Sequence, residues 1–170
     1  LFIGCSWFSS GIDPKEREAA KALGIGRYEV GSAGMGGKIA SMRGKLLWPV
    51  RGKLTSRFKY RGSRFHEGVD IGAPHGTPIY AAHDGEVIYS GSGINGYGNL
   101  IAIKSDFGLV TIYGHNSRNV VRFRDAVIQG ELIGYVGKTG RATGNHLHFE
   151  TRVYKPGKGL VAFDPLYFFK

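Results

Sequence analysis

Histidine carries ligand and proton-transfer chemistry at neutral pH, and the stretch Gly144-Asn145-His146-Leu147-His148-Phe149-Glu150 places two histidines two residues apart. Alternate side chains of a strand share a face, so His146 and His148 project together while Leu147 and Phe149 point the other way, into a core. Upstream, His66-Glu67-Gly68-Val69-Asp70 supplies another histidine and a carboxylate, and His115 lies between the two. Three distant segments thus each offer a zinc ligand or a proton-transfer group. A catalytic zinc commonly takes three protein ligands and keeps a fourth position for water, with two His plus a carboxylate an accepted set. His66, Asp70 and His148 can provide that set. The His66–Asp70 stretch is not the helical zinc motif in which the Glu is the base: it ends in Asp, and Gly68 with β-branched Val69 disfavours a helix. Glu67 is therefore expected to be exposed. His75 and His83, both in turns, are read as ordinary polar or packed residues, and Glu150 as either support for an imidazole or an end-of-strand charge.

The elements that must position these residues are short strands. Period-two alternation places them at 78–82, 85–89, 100–104, 110–113, 132–136 and 147–153. Between them fall turn signals such as Asp84-Gly85, Asn95-Gly96, Gly98-Asn99 and Phe107-Gly108, as antiparallel connections require. Helical periodicity is nearly absent. The fold class is all-β: a compact antiparallel sheet or sandwich, preceded by a short N-terminal helix and a linker. The helix is signalled by Asp13 as cap, Pro14 at the first helical position, Glu16 placed to close a capping box, and Gly24 as terminator. Residues 24–42, rich in Gly, Ala and Ser, read as linker. At 170 residues the chain holds one ordinary domain, so residues 1–46 are expected to form a tether and 47–170 the functional domain.

Taken together, His-x-x-x-Asp (66–70), Gly-x-Pro-Ile-Tyr-Ala (76–81), Gly-Tyr-Gly-Asn (96–99), Tyr-Gly-His (113–115) and Thr-Gly-x-His-Leu-His-Phe-Glu (143–150) resemble the lysostaphin/LytM-type zinc metallopeptidases. That family cuts peptide bonds of bacterial peptidoglycan and folds as a compact all-β domain with zinc in a groove. The resemblance implies one zinc ion held by His66, Asp70 and His148, with His115 and His146 flanking the water. It also implies Tyr60 as a group beside the oxyanion. The chain departs from the family pattern at Asn145, at Lys104-Ser105-Asp106 and at Arg122-Phe123-Arg124-Asp125. These bear on substrate contacts and leave the implied ligands and proton-transfer residues in place.

Charge and cysteine usage bound the partners. With 23 Lys+Arg against 13 Asp+Glu the formal charge is +10, which favours anionic partners. Eight of the basic residues, with no acidic one among them, run from Arg43 to Arg64 and lead into His66, as a solvated rim or as a guide for an anionic polymer. Peptidoglycan is the partner the resemblance implies. No nucleic acid is expected, since neither a stacking aromatic motif nor a basic helix accompanies the charge. One cysteine excludes an internal disulfide and a cysteine-rich zinc site. Leu1-Phe2-Ile3-Gly4-Cys5 resembles the close of a bacterial lipoprotein signal, which implies membrane attachment through an acylated Cys5 and a place in the cell envelope, periplasmic or at the outer membrane. Without that lipid the protein would be secreted. The alternative function, from another class, is a non-catalytic regulator of cell-wall amidases on the same fold.

Overall fold

The computed structural model describes residues 14–28 and 37–169. Cys5, the Asp13 cap and the glycine-rich run 29–36 lie outside the described residues. Helix α1 (Pro14–Ala22) opens on a proline, whose fixed φ and missing N–H suit the first turn. It stops as expected at Gly24, which takes φ 69° while the amides of Gly24 and Ile25 close onto the carbonyls of Lys21 and Ala20. A single turn, α2 (Gly37–Ala40), follows.

The strands are β1 (Lys53–Ser56), β2 (Lys59–Arg61), β3 (Arg64–His66), β4 (Val69–Gly72), β5 (Pro78–Tyr80), β6 (Gly85–Gly91), β7 (Asn99–Lys104), β8 (Leu109–Asn119), β9 (Ala126–Val127), β10 (Leu132–Val136), β11 (His146–Lys155) and β12 (Gly159–Phe163). Ten of them form one antiparallel sheet along the path β1-β4-β11-β8-β7-β6-β9, with β10 paired to β8 and β5, and β12 to β11. The hairpin β2–β3 stands apart as a two-stranded sheet. All six expected strands are present; β8 and β11 run further than their alternation implied. The remaining strands are two to five residues long, so a period-two reading has little to register.

Alternation gives one buried face per strand, but the centre of this sheet is buried on both. In β7, Ile101 and Ile103 join the main core with Ile71, Tyr113, Leu147 and Phe149. Leu100 and Ala102 join a second cluster with Val110, Ile112 and Leu23. That second face is covered by the N-terminal segment, where Ala19, Ala20 and Ile25 pack beside Leu23. Residues 37–46, expected to belong to the tether, put Ile39, Met42 and Leu46 in the main core. Burial of one such side chain is worth about 1.5–3 kcal/mol, so these segments contribute to the folded domain itself.

Candidate active site

Strand register brings the three sequence segments together. β11 lies between β4 and β8, with Asp70 opposite His148 and Gly114 opposite His148 on the other side. Leu147, Phe149 and Val153 of β11 point into the main core. His146, His148, Glu150 and Arg152 therefore share the opposite face, a ladder of ionisable groups along one strand. His66 arrives differently, at the end of the β2–β3 hairpin outside the large sheet.

His66, Asp70 and His148 form a buried cluster with metal-ligand character. His66 Nε2 is 3.0 Å from Asp70 Oδ1 and 3.1 Å from His148 Nδ1, and His148 Nδ1 is 2.8 Å from Asp70 Oδ1. The outer contacts decide what these atoms present. His66 Nδ1 donates to the Arg57 carbonyl at 2.8 Å, and His148 Nε2 donates to Glu150 Oε1 at 2.8 Å. In the neutral imidazoles those bonds place the single proton on the outer nitrogen. Three lone pairs then converge, and a cation is what satisfies them. The electrostatics agree: burial opposes charge on His148, but the carboxylates of Asp70 and Glu150 outweigh it and push its pKa up to about 9. The pocket calls for positive charge. Asp70 stays ionised despite its burial, because His148 and His66 hold its carboxyl well below the usual carboxylate range. Its outer oxygen, Oδ2, accepts from Arg61 Nη2 at 2.6 Å. The donor set thus fits zinc, a metal that takes His nitrogen and carboxylate oxygen in such sites.

His115 and His146 stand against this cluster. The ring centroids of His115 and His146 are 4.7 Å apart, and that of His115 is 5.8 Å from His148. His115 has φ 65°, a left-handed conformation uncommon outside glycine. It is held there by its amide donating to the Tyr97 carbonyl at 2.8 Å and its Nδ1 donating to the Thr139 carbonyl at 2.7 Å. The loops carrying those acceptors interlock. Gly98, at φ 62°, lies so close that a Cβ would strike the backbone of Thr139 and Gly140. Burial, and then the neighbouring His148, lower His115 to about 4, so its imidazole is neutral at neutral pH. His146 donates from Nδ1 to the Gly144 carbonyl at 2.9 Å, and its Nε2 is 3.7 Å from Asp70 Oδ1.

Tyr60 is not brought into this group. It is 59% exposed, shares a 3.0 Å hydroxyl contact with Tyr28, and packs edge-on against Phe65. The expectation that Glu67 is exposed is overturned. Its carboxylate receives Arg152 Nη2 at 2.5 Å and the Gly26 amide at 3.2 Å. Burial raises its pKa, against the Arg152 charge. Sequence reasoning also missed Arg152 and Tyr97. Arg152 is fully buried and donates from Nε to Glu150 Oε2 at 2.7 Å, while the Tyr97 hydroxyl donates to Glu150 Oε1. Glu150 is consequently support for His148: burial would raise it, but Arg152 and His148 bring it down to about 2. The signal was present as alternation, since Arg152 is the next residue on the His146–His148–Glu150 face.

Comparison with known proteins gives a consistent result. The family model described as peptidase family M23 matches residues 64–163. The chain is 44% identical over 119 residues to the cell division protein DipM of Caulobacter vibrioides, covering 69% of this chain and 19% of that protein. It is 41% identical over 107 residues to the DD-carboxypeptidase/endopeptidase Mpg of Neisseria meningitidis, covering 59% and 24%. With the murein hydrolase activator NlpD of Escherichia coli it shares 39% over 113 residues, covering 66% and 29%. The solved structure of the antimicrobial peptidase lysostaphin from Staphylococcus simulans aligns with a TM-score of 0.62 at 32% identity, over 68% of this chain and 48% of that one. The chain spans less than half the length of the curated relatives it matches.

Proposed function

The chain belongs to peptidase family M23, and from that membership we propose that it is a zinc-dependent endopeptidase that hydrolyses peptide cross-links or stem peptides of bacterial peptidoglycan. One observation supports this above others: three atoms of metal-ligand type, His66 Nε2, Asp70 Oδ1 and His148 Nδ1, lie within 3.1 Å of one another, with His115 and His146 beside them. Those three residues would hold one zinc ion. Zinc so held supplies a water of near-neutral pKa and polarises a carbonyl.

The chain's own residues do the rest. His115 is neutral at neutral pH, with Nδ1 committed to the Thr139 carbonyl, so its Nε2 accepts the proton of the attacking water and passes it to the leaving amine. His146, nearer Asp70, steadies the developing oxyanion when protonated. The place beside that oxyanion that the resemblance implied for Tyr60 is left out of this reading, since its contacts run to Tyr28 and Phe65. The basic residues leading into His66 guide the anionic wall polymer.

The likeness to Mpg favours a D,D-bond over a glycine bridge, and the likeness to a lipoprotein NlpD/LppB homolog of Pseudomonas aeruginosa favours a cell-envelope location, with Cys5 as the site of lipid attachment. The test is release of soluble fragments from purified peptidoglycan, with mass spectrometry to identify the bond. Activity is expected to stop on chelation and to return with zinc; undiminished activity after complete metal removal would refute the proposal. The likeness to a murein hydrolase activator also supports a second reading, a regulator of amidases without turnover. A zinc-loaded protein that releases nothing alone yet stimulates a purified amidase would select it.

A further inference from the structure

Two of the three proposed ligands, Asp70 and His148, sit opposite each other in the large sheet, where paired backbones set their spacing. His66 has no such support. It ends a two-stranded hairpin that, among the described residues, pairs with no strand of that sheet, so contacts outside the sheet must help hold it in reach.

The segment Gly24–Tyr28, which precedes the family-matched region, grips both sequence neighbours of His66. On one side the Tyr28 ring stacks on Phe65, with centroids 3.8 Å apart and planes within 7°. On the other, the Gly26 amide donates to Glu67 Oε2 at 3.2 Å. The same segment reaches His148 through a buried cation. Arg152 Nη1 donates to the Gly24 carbonyl at 2.6 Å and to the Arg27 carbonyl at 3.4 Å. Its Nη2 meets Glu67 Oε2 at 2.5 Å and Glu150 Oε2 at 2.6 Å, and the other oxygen of Glu150 receives His148 Nε2 at 2.8 Å. Arg152 and Glu150 are both 0% exposed, so no water substitutes for a lost partner. The turn can occupy this position only as it is: Gly24 has φ 69°, and a Cβ there would collide with the Leu160 carbonyl oxygen.

We propose that the Gly24–Tyr28 segment and Arg152 are positioning elements of the metal centre, a clamp that sets the spacing between the His66 hairpin and the His148 strand and so raises metal affinity. The proposal rests on the metal-site reading above. Partners of this kind, bonded to the ligands rather than to the metal, typically change metal affinity about 10–100-fold when removed.

The experiment measures zinc affinity of the full chain by competition with a chromophoric chelator, for the wild type, Gly24→Ala, Tyr28→Ala, Arg152→Lys and Arg152→Met. Hydrogen exchange over residues 24–28 reports docking, and melting of the zinc-free protein reports global folding. Gly24→Ala is expected to raise exchange in the segment and weaken zinc binding at least tenfold while the zinc-free protein remains folded. Tyr28→Ala should weaken it less, and Arg152→Lys should weaken it less than Arg152→Met. If Arg152→Met does not fold, Gly24→Ala, outside the sheet, still decides the matter. Zinc affinity within twofold of wild type in Gly24→Ala overturns the clamp, whether the segment undocks without effect or tolerates the added methyl. A wild type that binds no zinc overturns the metal-site reading instead.

Discussion

At His148 both ring nitrogens are committed, Nδ1 toward His66 and Asp70 and Nε2 to Glu150, whereas His146 has Nδ1 on the Gly144 carbonyl and Nε2 3.7 Å from Asp70. Two residues on one strand face are thus placed for different tasks. His148→Ala is expected to abolish zinc binding in chelator competition. His146→Ala should retain zinc and lose turnover by about 10²–10⁴-fold, measured as solubilisation of purified peptidoglycan; equal loss of zinc in both would refute the division. A further histidine acts through folding. His83 is buried, donates from Nδ1 to the Asp84 carbonyl, and places Nε2 3.0 Å from Thr111 Oγ1. Burial lowers it below its usual 6.5. The unfolded chain therefore takes up the proton first, so stability is intact above about 6.5 and is lost as pH falls below it. Melting of the zinc-free protein between pH 7 and pH 5 should fall less steeply in His83→Gln than in the wild type, and equal slopes would remove His83 from the account. The His–Asp–His set was legible because its residue types are rare together at such spacings. The pairing of Glu67 was not, because its partner Arg152 is 85 residues away in sequence.

β11 shows how an element makes a site: the face carrying Leu147, Phe149 and Val153 holds the strand in the core, and the face carrying His146, His148, Glu150 and Arg152 presents the candidate site and its support. Truncation of Phe149 to Ala should cost about 3–5 kcal/mol in denaturant unfolding and remove the site with the fold. The turn before β7 works by close approach. Gly98 lets the Tyr97 loop meet the Thr139 loop, and both carbonyls that hold His115 lie on those loops. Gly98→Ala is expected to lose more than about 1 kcal/mol of stability. It should also lower turnover with little change in zinc affinity, since His115 moves and the proposed ligands do not. Unchanged turnover would show that the two loops do not position His115. Alternation made β11 legible before any coordinates. It could not show the hairpin β2–β3, whose residues are mostly exposed and basic.

For the whole molecule, a cation bound only by the folded state adds stability by mass action, about 2.7 kcal/mol at a hundredfold excess over Kd. Chelation should therefore lower the melting temperature by roughly 5–10 °C, and the shift should grow with zinc concentration. A melting temperature indifferent to zinc would argue against a site closed by folding. The molecule also depends on its N-terminal segment more than composition suggests, since α1 and the turn after it cover the second face of the sheet.

The sequence by itself determined the residue types of the candidate site, the all-β class and the helix with its Gly24 stop, because each rests on local periodicity, residue chemistry or a single residue's allowed φ. Tertiary structure alone decided which nitrogen of each histidine faces the cluster, that Glu150 supports His148, that Glu67 is half-buried and paired with Arg152, and that Tyr60 meets Tyr28 rather than the histidines. Those outcomes depend on hydrogen bonds between residues far apart in the chain, and local sequence pattern carries no record of them.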